Sequence, residues 1–207
     1  MAKETAHQIG TPLSSLVGWT ELLKSENINQ EHVKEIEKDI YRLQTITDRF
    51  SKIGSMPKLK KIDIVKATEE AYSYLKSRSS KLIEFDFEAP DQTIYVDLNE
   101  QLYSWTIENL VKNAIDAMKG KGKLSIKIST DTKHVYILVS DTGKGIKKHL
   151  QKTIFEPGYT SKKRGWGLGL SLAKRIIEDY HDGRIKVLHS EVGKGTTIQV
   201  LLKVITN

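Results

Sequence analysis

The 207-residue sequence predicts an α+β protein, in which an N-terminal antiparallel helical hairpin precedes an α/β sandwich. Two observations lead to this prediction. Apolar residues recur at helical spacing through residues 13–53, and the pattern changes to short strand-like segments after Pro57. In the second part helices lie between runs of strands, which favours a sandwich over an alternating βαβ fold. We therefore expect a hairpin domain over residues 1–54 and a second domain over residues 57–207.

The first part is expected to form two helices joined by a short loop. Apolar residues recur near helical spacing from Leu13 to Leu23, and residues 25–29 favour a turn. A heptad-like apolar stripe with 3-4-3 spacing then runs from Val33 to Ile53. A single hairpin buries too little of this surface, so the stripe predicts a homodimer in which two hairpins form a four-helix bundle.

The second part is expected to contain three helices and seven short strands, with a glycine-rich irregular stretch after residue 139. The period of the apolar residues distinguishes the two kinds of element. The predicted helices cover 65–76, 98–118 and 168–180, and the predicted strands cover 59–64, 83–87, 93–96, 124–129, 135–139, 185–188 and 197–204.

The composition excludes several classes of protein. There is no cysteine, which excludes a disulfide framework and a cysteine metal site. No stretch approaches the roughly 18 apolar residues of a membrane-spanning helix, and the first seven residues lack the apolar core of a signal peptide. The net charge of +7 raises the question of a nucleic-acid or anion partner. Residues 147–166 concentrate this charge, with six Lys and Arg against Glu156 alone.

Two segments of the second part carry side chains suited to nucleotide chemistry. Asn109 and Asn113 lie four residues apart on the predicted long helix, so both amides project from one face and offer hard oxygen ligands for Mg²⁺. Asp141-Thr-Gly143-Lys-Gly145-Ile146 directly follows a strand. A carboxylate at this point can accept a hydrogen bond from an exocyclic amine, and the glycines allow close approach of a planar ligand.

Three further segments follow along the chain. They are residues 155–162, the glycine-rich segment 165–170 that opens a helix, and the turn 193–197 that enters the last strand. Glycines at a helix N-terminus expose backbone N–H groups to an anion. Segment 165–170 lacks the preceding buried strand of a Rossmann site, which makes that interpretation poor. Each segment alone is a weak signal.

In this order and at these spacings, the five segments resemble the N, G1, F, G2 and G3 boxes of the histidine kinase catalytic and ATP-binding domain, a member of the Bergerat-fold ATPase superfamily. The resemblance covers residues 57–207. Residues 1–54 resemble the dimerisation and phosphotransfer hairpin of the same family, because His7-Gln8-Ile9-Gly10-Thr11-Pro12-Leu13 matches the H box that carries the phosphoacceptor histidine.

The resemblance implies ATP and Mg²⁺ as ligands and assigns roles to individual residues. It implies that Asn113 ligates Mg²⁺, that Asp141 accepts from the adenine amine, and that Thr197, or as second choice Thr196, lies beside the adenine. The basic lid residues are expected at the γ-phosphate. The nucleotide-contacting set is Asn109, Asn113, Asp141, Gly143, Gly145, Ile146, Phe155, Thr160, Lys162, Arg164, Gly165, Gly167, Leu168, Gly169, Thr196 and Thr197.

The sequence departs from the family pattern at two positions. Gln8 stands where the commonest H box has Glu or Asp, so we expect Glu4, three residues before His7 on the same helical face, to take the proton instead. Thr11, in contrast, fits the family pattern, because it lies one turn after His7, where relatives use Thr or Asn to dephosphorylate the response regulator. Phosphatase activity toward the regulator is therefore a further hypothesis. Asp116 replaces a basic residue that many kinases have after the second Asn.

The expected function is ATP-dependent autophosphorylation of His7, followed by phosphotransfer to an Asp of a response-regulator receiver domain. We expect the chain to be the cytoplasmic part of a longer membrane-bound sensor. Three alternatives are weaker. A gyrase-type or chaperone ATPase usually carries a catalytic Glu where Asn109 stands, and a degenerate docking module is favoured only by Gln8. No nucleic-acid partner is expected, because the basic surface lacks interleaved aromatics and a recognised motif.

Overall fold

The computed structural model describes residues 13–14, 16–24, 31, 33–34, 36–37, 40, 57–161 and 167–205. The chain divides into two compact units, Met1–Pro57 and Lys58–Asn207. In the described part of the chain, no helix is long and apolar enough to cross a membrane.

The described residues of the first unit before Pro57 are all helical. Leu13, Val33 and Ile40 are buried, and an ion pair of 2.5 Å joins Lys24 to Glu37 across the two helical stretches. A set of large apolar side chains remains exposed, and its members are Leu16, Trp19, Leu22 and Ile36. The helical pattern of the sequence therefore holds for these residues, and part of the apolar surface of these helices is left exposed.

The second unit contains ten regular elements, three helices and seven strands, in its described residues. The helices are α1 (Ile64–Ser77), α2 (Glu100–Ala117) and α3 (Gly169–Arg175), and the strands are β1 (Lys60–Asp63), β2 (Ile83–Glu88), β3 (Tyr95–Leu98), β4 (Gly122–Thr130), β5 (His134–Asp141), β6 (Arg184–Glu191) and β7 (Gly195–Lys203). Two 3₁₀ turns, Lys148–Leu150 and Thr153–Phe155, precede α3, and a π-helix, Ile176–Tyr180, continues it.

Five strands form one sheet in the order β2-β4-β5-β7-β6. Only the β2–β4 pair is parallel, and the remaining pairs are antiparallel. Along β5 and β7, buried residues, mostly Val and Ile, alternate with half-buried ones, as expected when one face packs on a core and the other is more open to water. β1 and β3 form a separate antiparallel pair. The predicted α+β fold class is confirmed.

Both long helices begin at a side-chain cap. The Asp63 carboxylate accepts from the N–H of Val65 at 3.0 Å, and the Asn99 side-chain oxygen accepts from the N–H of Leu102 at 3.1 Å. A buried hydrogen bond of 2.6 Å between Thr68 and Tyr103 then joins α1 to α2. These contacts fix the position of α2, which carries the asparagine pair.

The structure differs from the sequence prediction at the ends of most elements and in the geometry of the last helix. β3 covers Tyr95–Leu98 rather than 93–96, and the N–H of Ile64, at the start of α1, bonds to the carbonyl of Ile94 just before the strand. The helix predicted over 168–180 changes from α to π geometry at Ile176. The carbonyl of Ile176 then lies 2.7 Å from Nδ1 of the buried His181.

Candidate functional site

Asp141 lies at the end of β5, in the middle of the five-stranded sheet, and its carboxylate is half-buried. It accepts a 2.7 Å hydrogen bond from the N–H of Gly143. Burial raises the pKa of the Asp141 carboxyl above its usual value, while the backbone N–H groups of Gly143 and Thr196 act in the opposite direction. A partly desolvated acceptor at a strand end suits recognition of a ligand amine.

The loop after Asp141 runs close to two other backbone segments. A Cβ atom on Gly143 would lie 2.6 Å from the carbonyl carbon of Ala117 at the end of α2. Gly145 has a φ of +67°, and a Cβ atom there would collide with the carbonyl of Glu191. Both positions therefore require glycine, because the loop packs against the backbone of the protein itself. The approach of a ligand to these glycines stays a prediction.

The two threonines of the last strand face opposite sides of the sheet. Thr196 pairs with Asp141 and shares the core-facing side with it, whereas Thr197 pairs with Ser140 and bonds to its hydroxyl at 2.9 Å on the other side. Successive side chains of a strand alternate between faces, so only one of the two can approach a ligand at Asp141. The structure thus places Thr196, rather than the Thr197 that the sequence favours, on the face that carries Asp141.

The asparagine pair of α2 meets the start of α3. A Cβ atom on Gly169 would lie 3.3 Å from Oδ1 of Asn109 and 4.0 Å from Nδ2 of Asn113. The Nδ2 atom of Asn109 is buried and has no hydrogen-bond partner among the residues that the structure describes. Glycine at 169 thus leaves room between the helix start and two amide side chains, one of which has an unused donor.

The segments 155–162 and 165–170 contact each other through their described residues, 155–161 and 167–170. Phe155 is buried in the core, and Gly158 donates its N–H to the carbonyl of Gly167 at 3.1 Å. Gly167 has a φ of +65°, and a Cβ atom there would lie 2.5 Å from the carbonyl carbon of Gly158. The two ends of the intervening segment are therefore held side by side.

The remaining predicted residues divide into two groups. Ile146 and Leu168 are half-buried and Thr160 is exposed. The other predicted residues lie outside the described part of the chain, and they are Glu4, His7, Gln8, Thr11, Lys162, Arg164 and Gly165. Within the residues that the structure describes, no group of three or more His, Asp or Glu side chains is placed to hold a metal ion.

Two residues of the β6–β7 hairpin belong to the same region and were not predicted as site residues. Gly195 packs so closely on Asp141 that a Cβ atom would collide with its carbonyl, and the Ser190 hydroxyl lies 2.9 Å from that of Thr196. The glycine pattern 193–195 contains the signal for Gly195. Ser190 has no sequence signal, because its position depends on strand register.

An acceptor at the middle of a mixed sheet, glycine loops beside it and an asparagine pair on the facing helix together define a nucleotide-binding class of site. The comparisons agree with this class. Residues 99–206, more than half of the chain, match the family described as histidine kinase-, DNA gyrase B- and HSP90-like ATPase, and residues 1–55 match the His Kinase A phospho-acceptor domain. The chain belongs to this ATPase family and has the two-domain core of a two-component histidine kinase.

Similar proteins include two sporulation kinases of Bacillus subtilis (strain 168). Sporulation kinase C is 29% identical over 98% of this chain and 48% of its own length, and sporulation kinase D is 31% identical over 99% and 41%. This chain thus spans less than half the length of either relative. The crystal structure of the histidine kinase ThkA in complex with the response regulator protein TrrA is similar with a TM-score of 0.67, at 25% identity, covering 98% of this chain and 60% of that one.

Proposed function

We propose that this chain transfers the γ-phosphoryl group of ATP to His7 and then to an Asp of a response regulator. The observation that carries the proposal is the pairing of Asp141 and Thr196 on one face of the sheet. Here a carboxylate and a hydroxyl are placed together, with glycine backbone on both sides. The match of residues 1–55 to the phospho-acceptor domain favours a kinase over the gyrase-like or HSP90-like members of the family.

In this proposal the Asp141 carboxylate accepts a hydrogen bond from the adenine amino group, with Thr196 beside it. Gly143 and Gly145 let the loop after Asp141 pack against the backbones of Ala117 and Glu191, which sets the position of the loop beside the base. Lys162 and Arg164 would neutralise charge on the γ-phosphate, since cationic side chains are effective there. The excess of basic residues in 147–166 is thereby assigned to the triphosphate and to an acidic regulator surface.

Mg²⁺ fits the amide pair, because this ion commonly takes one or two side-chain oxygens and completes its shell with phosphate oxygens and water. Asn113 would hold the ion, with Asn109 next to the phosphates. When bound, Mg²⁺ supplies neutralisation of phosphate charge. The start of α3 at Gly169 abuts both amides, so its backbone N–H groups are available to the same phosphates.

His7 would act through a ring nitrogen in its neutral form, which is well populated at pH 7 because imidazole has a pKa of about 6.5. The nitrogen forms a bond to the γ-phosphorus as the bond to the ADP oxygen breaks, and the proton on the other ring nitrogen must be held or removed. Gln8 can orient the ring but cannot accept the proton, so we assign that role to Glu4. If Glu4→Gln leaves the rate of autophosphorylation unchanged, this assignment is wrong.

The hairpin unit is proposed to dimerise and to dock the regulator. The exposed Leu16, Trp19, Leu22 and Ile36 are the apolar surface that a second hairpin would cover. The complex of ThkA with TrrA supports a response regulator as the partner. Thr11 is proposed to support dephosphorylation of that regulator, and a Thr11→Ala variant that dephosphorylates it at the normal rate would refute this role.

The test is incubation of the full chain with γ-labelled ATP and Mg²⁺. We expect an acid-labile, base-stable label that is absent in His7→Ala. The matched control is His149→Ala, at an exposed position, which should label like the wild type. Label retained in His7→Ala would overturn the phosphoacceptor assignment. Nucleotide binding without any labelling would favour the degenerate docking module instead.

A further inference from the structure

Ser190 reaches the nucleotide site because β6 contains an irregularity in its pairing. Val187 pairs with Ile198, but the next paired residue is His189, opposite Thr197, so Leu188 is an extra residue. Regular alternation from Val187 would turn Ser190 away from the core face. The bulge reverses this, because one inserted residue shifts every later side chain to the other face. Ser190 therefore pairs with Thr196, on the face that carries Asp141.

The Ser190 hydroxyl joins the loop after Asp141 to the last strand. It accepts from the N–H of Ile146 at 2.8 Å, donates to the carbonyl of Gly195 at 3.1 Å, and lies 2.9 Å from the Thr196 hydroxyl. Gln151 supports the same junction, since its side-chain amide donates to the carbonyls of Ile146 and Ser190. Three contacts thus converge on one oxygen atom between the two segments.

These contacts determine which way the Thr196 hydroxyl donates. A backbone carbonyl can only accept, so the single hydrogen of Ser190 is used by Gly195. The contact between the two hydroxyls is then a hydrogen bond only if Thr196 donates to Ser190. This arrangement satisfies all three contacts and uses the Thr196 hydrogen, which leaves its oxygen as an acceptor beside the acceptor Asp141.

We propose that Ser190 is a positioning residue for nucleobase selection. Through Thr196 it makes this face of the site an acceptor, so that a base with an exocyclic amino group binds in preference to one with a carbonyl at the same position. This inference rests on the proposed nucleotide site and adds the residue that sets its polarity.

The test is calorimetric titration of the full chain with ADP and with inosine diphosphate, which has a carbonyl in place of the amino group, both with Mg²⁺. In Ser190→Ala we expect ADP affinity to fall about threefold to tenfold, the range of one hydrogen bond. The affinity for inosine diphosphate should fall less, so the ratio of the ADP affinity to the inosine diphosphate affinity falls. Ser190→Thr, which keeps the hydroxyl, should retain the wild-type ratio.

Ser140→Ala is the matched control. It removes a hydroxyl with a 2.9 Å partner on the opposite face of the same sheet, and should leave both affinities unchanged. Equal weakening of both nucleotides in Ser190→Ala, or no weakening, would overturn the inference by reducing Ser190 to a structural contact. If Ser190→Ala does not fold, Ser190→Cys is measured by the same criterion, because a thiol is a weak donor and acceptor. Absence of ADP binding by the wild type would instead overturn the proposed function itself.

Discussion

The Nε2 atom of His181 accepts a 2.9 Å hydrogen bond from the backbone N–H of Asn99. Asn99 caps α2, the helix that carries the asparagine pair, and His181 follows the π-helix that continues α3. The other ring nitrogen, Nδ1, lies 2.7 Å from the carbonyl of Ile176, to which it donates. One buried imidazole thus joins the two helices that meet at Gly169, and it can do so only in its neutral form.

The first prediction concerns the pH dependence of stability. Burial lowers the pKa of His181, because the charged ring is disfavoured there. Above a pH of about 6.5 the ring is neutral in both the folded and the unfolded chain, so its full contribution to the free energy of unfolding is present. As the pH falls further the unfolded chain gains the proton first, and stability is lost. Urea unfolding between pH 5 and 8 should show this loss.

His181→Gln keeps an acceptor for Asn99 without a titrating group, so part of the loss below pH 6.5 should disappear. His149→Gln, at an exposed position, is the matched control and should unfold with the wild-type pH dependence. The same pH dependence in His181→Gln as in the wild type would show that another group is responsible.

The second prediction separates binding from stability at Asp141. Its raised pKa means that, above the usual value of about 3.8, ionisation favours the unfolded chain, so the charge lowers stability at neutral pH. Asp141→Asn keeps the acceptor for Gly143 and removes the charge. We expect a higher midpoint of thermal unfolding together with a loss of about tenfold to a hundredfold in ADP affinity, the range of a charged hydrogen bond.

Asp131 provides the opposite control. Its pKa is lowered to about 2, chiefly by the backbone N–H of Lys133, with Tyr136 and His134 contributing. Asp131→Asn should therefore lower the unfolding midpoint at pH 7 and leave ADP affinity unchanged. If both variants changed stability and binding in the same direction, the separation would be refuted.

The third prediction compares two glycines with positive φ. Gly193, at +83°, has open space where a Cβ atom would stand, whereas Gly145, at +67°, has the carbonyl of Glu191 there. Gly193→Ala should cost only the left-handed strain of about 1–2 kcal/mol. Gly145→Ala should cost more and reduce ADP binding, as chemical unfolding and titration would measure. Equal effects in the two variants would contradict the close packing of this loop.

The fourth prediction concerns the role of Asn113 with Mg²⁺. Thermal unfolding is measured with ADP alone and with ADP plus Mg²⁺, since a ligand that binds the folded state raises the midpoint. In the wild type the ion should add to the shift given by ADP. In Asn113→Ala this increment should be reduced, while the shift with ADP alone remains. If Mg²⁺ raised the midpoint of Asn113→Ala as much as that of the wild type, Asn113 would not be the ligand of the ion.

The sequence was sufficient to locate Asp141, because a strand with clear alternation ends there and two glycines follow. It was insufficient to choose between Thr196 and Thr197, since the choice depends on the pairing of β5 with β7. Ser190 was missed because a bulge at Leu188 decides which face it occupies, and alternation alone gives the wrong face. The π-helix was missed for a similar reason, since the sequence pattern continues through it unchanged.

Backbone hydrogen exchange of the full chain, with and without ADP and Mg²⁺, tests most directly whether nucleotide binds where Asp141 and Thr196 meet. We predict that bound nucleotide slows exchange in residues 141–146, in 167–170 at the start of α3, and in 195–197. The first unit before Pro57 should show no comparable change. Protection elsewhere, with unchanged exchange in these three segments, would contradict the proposed site.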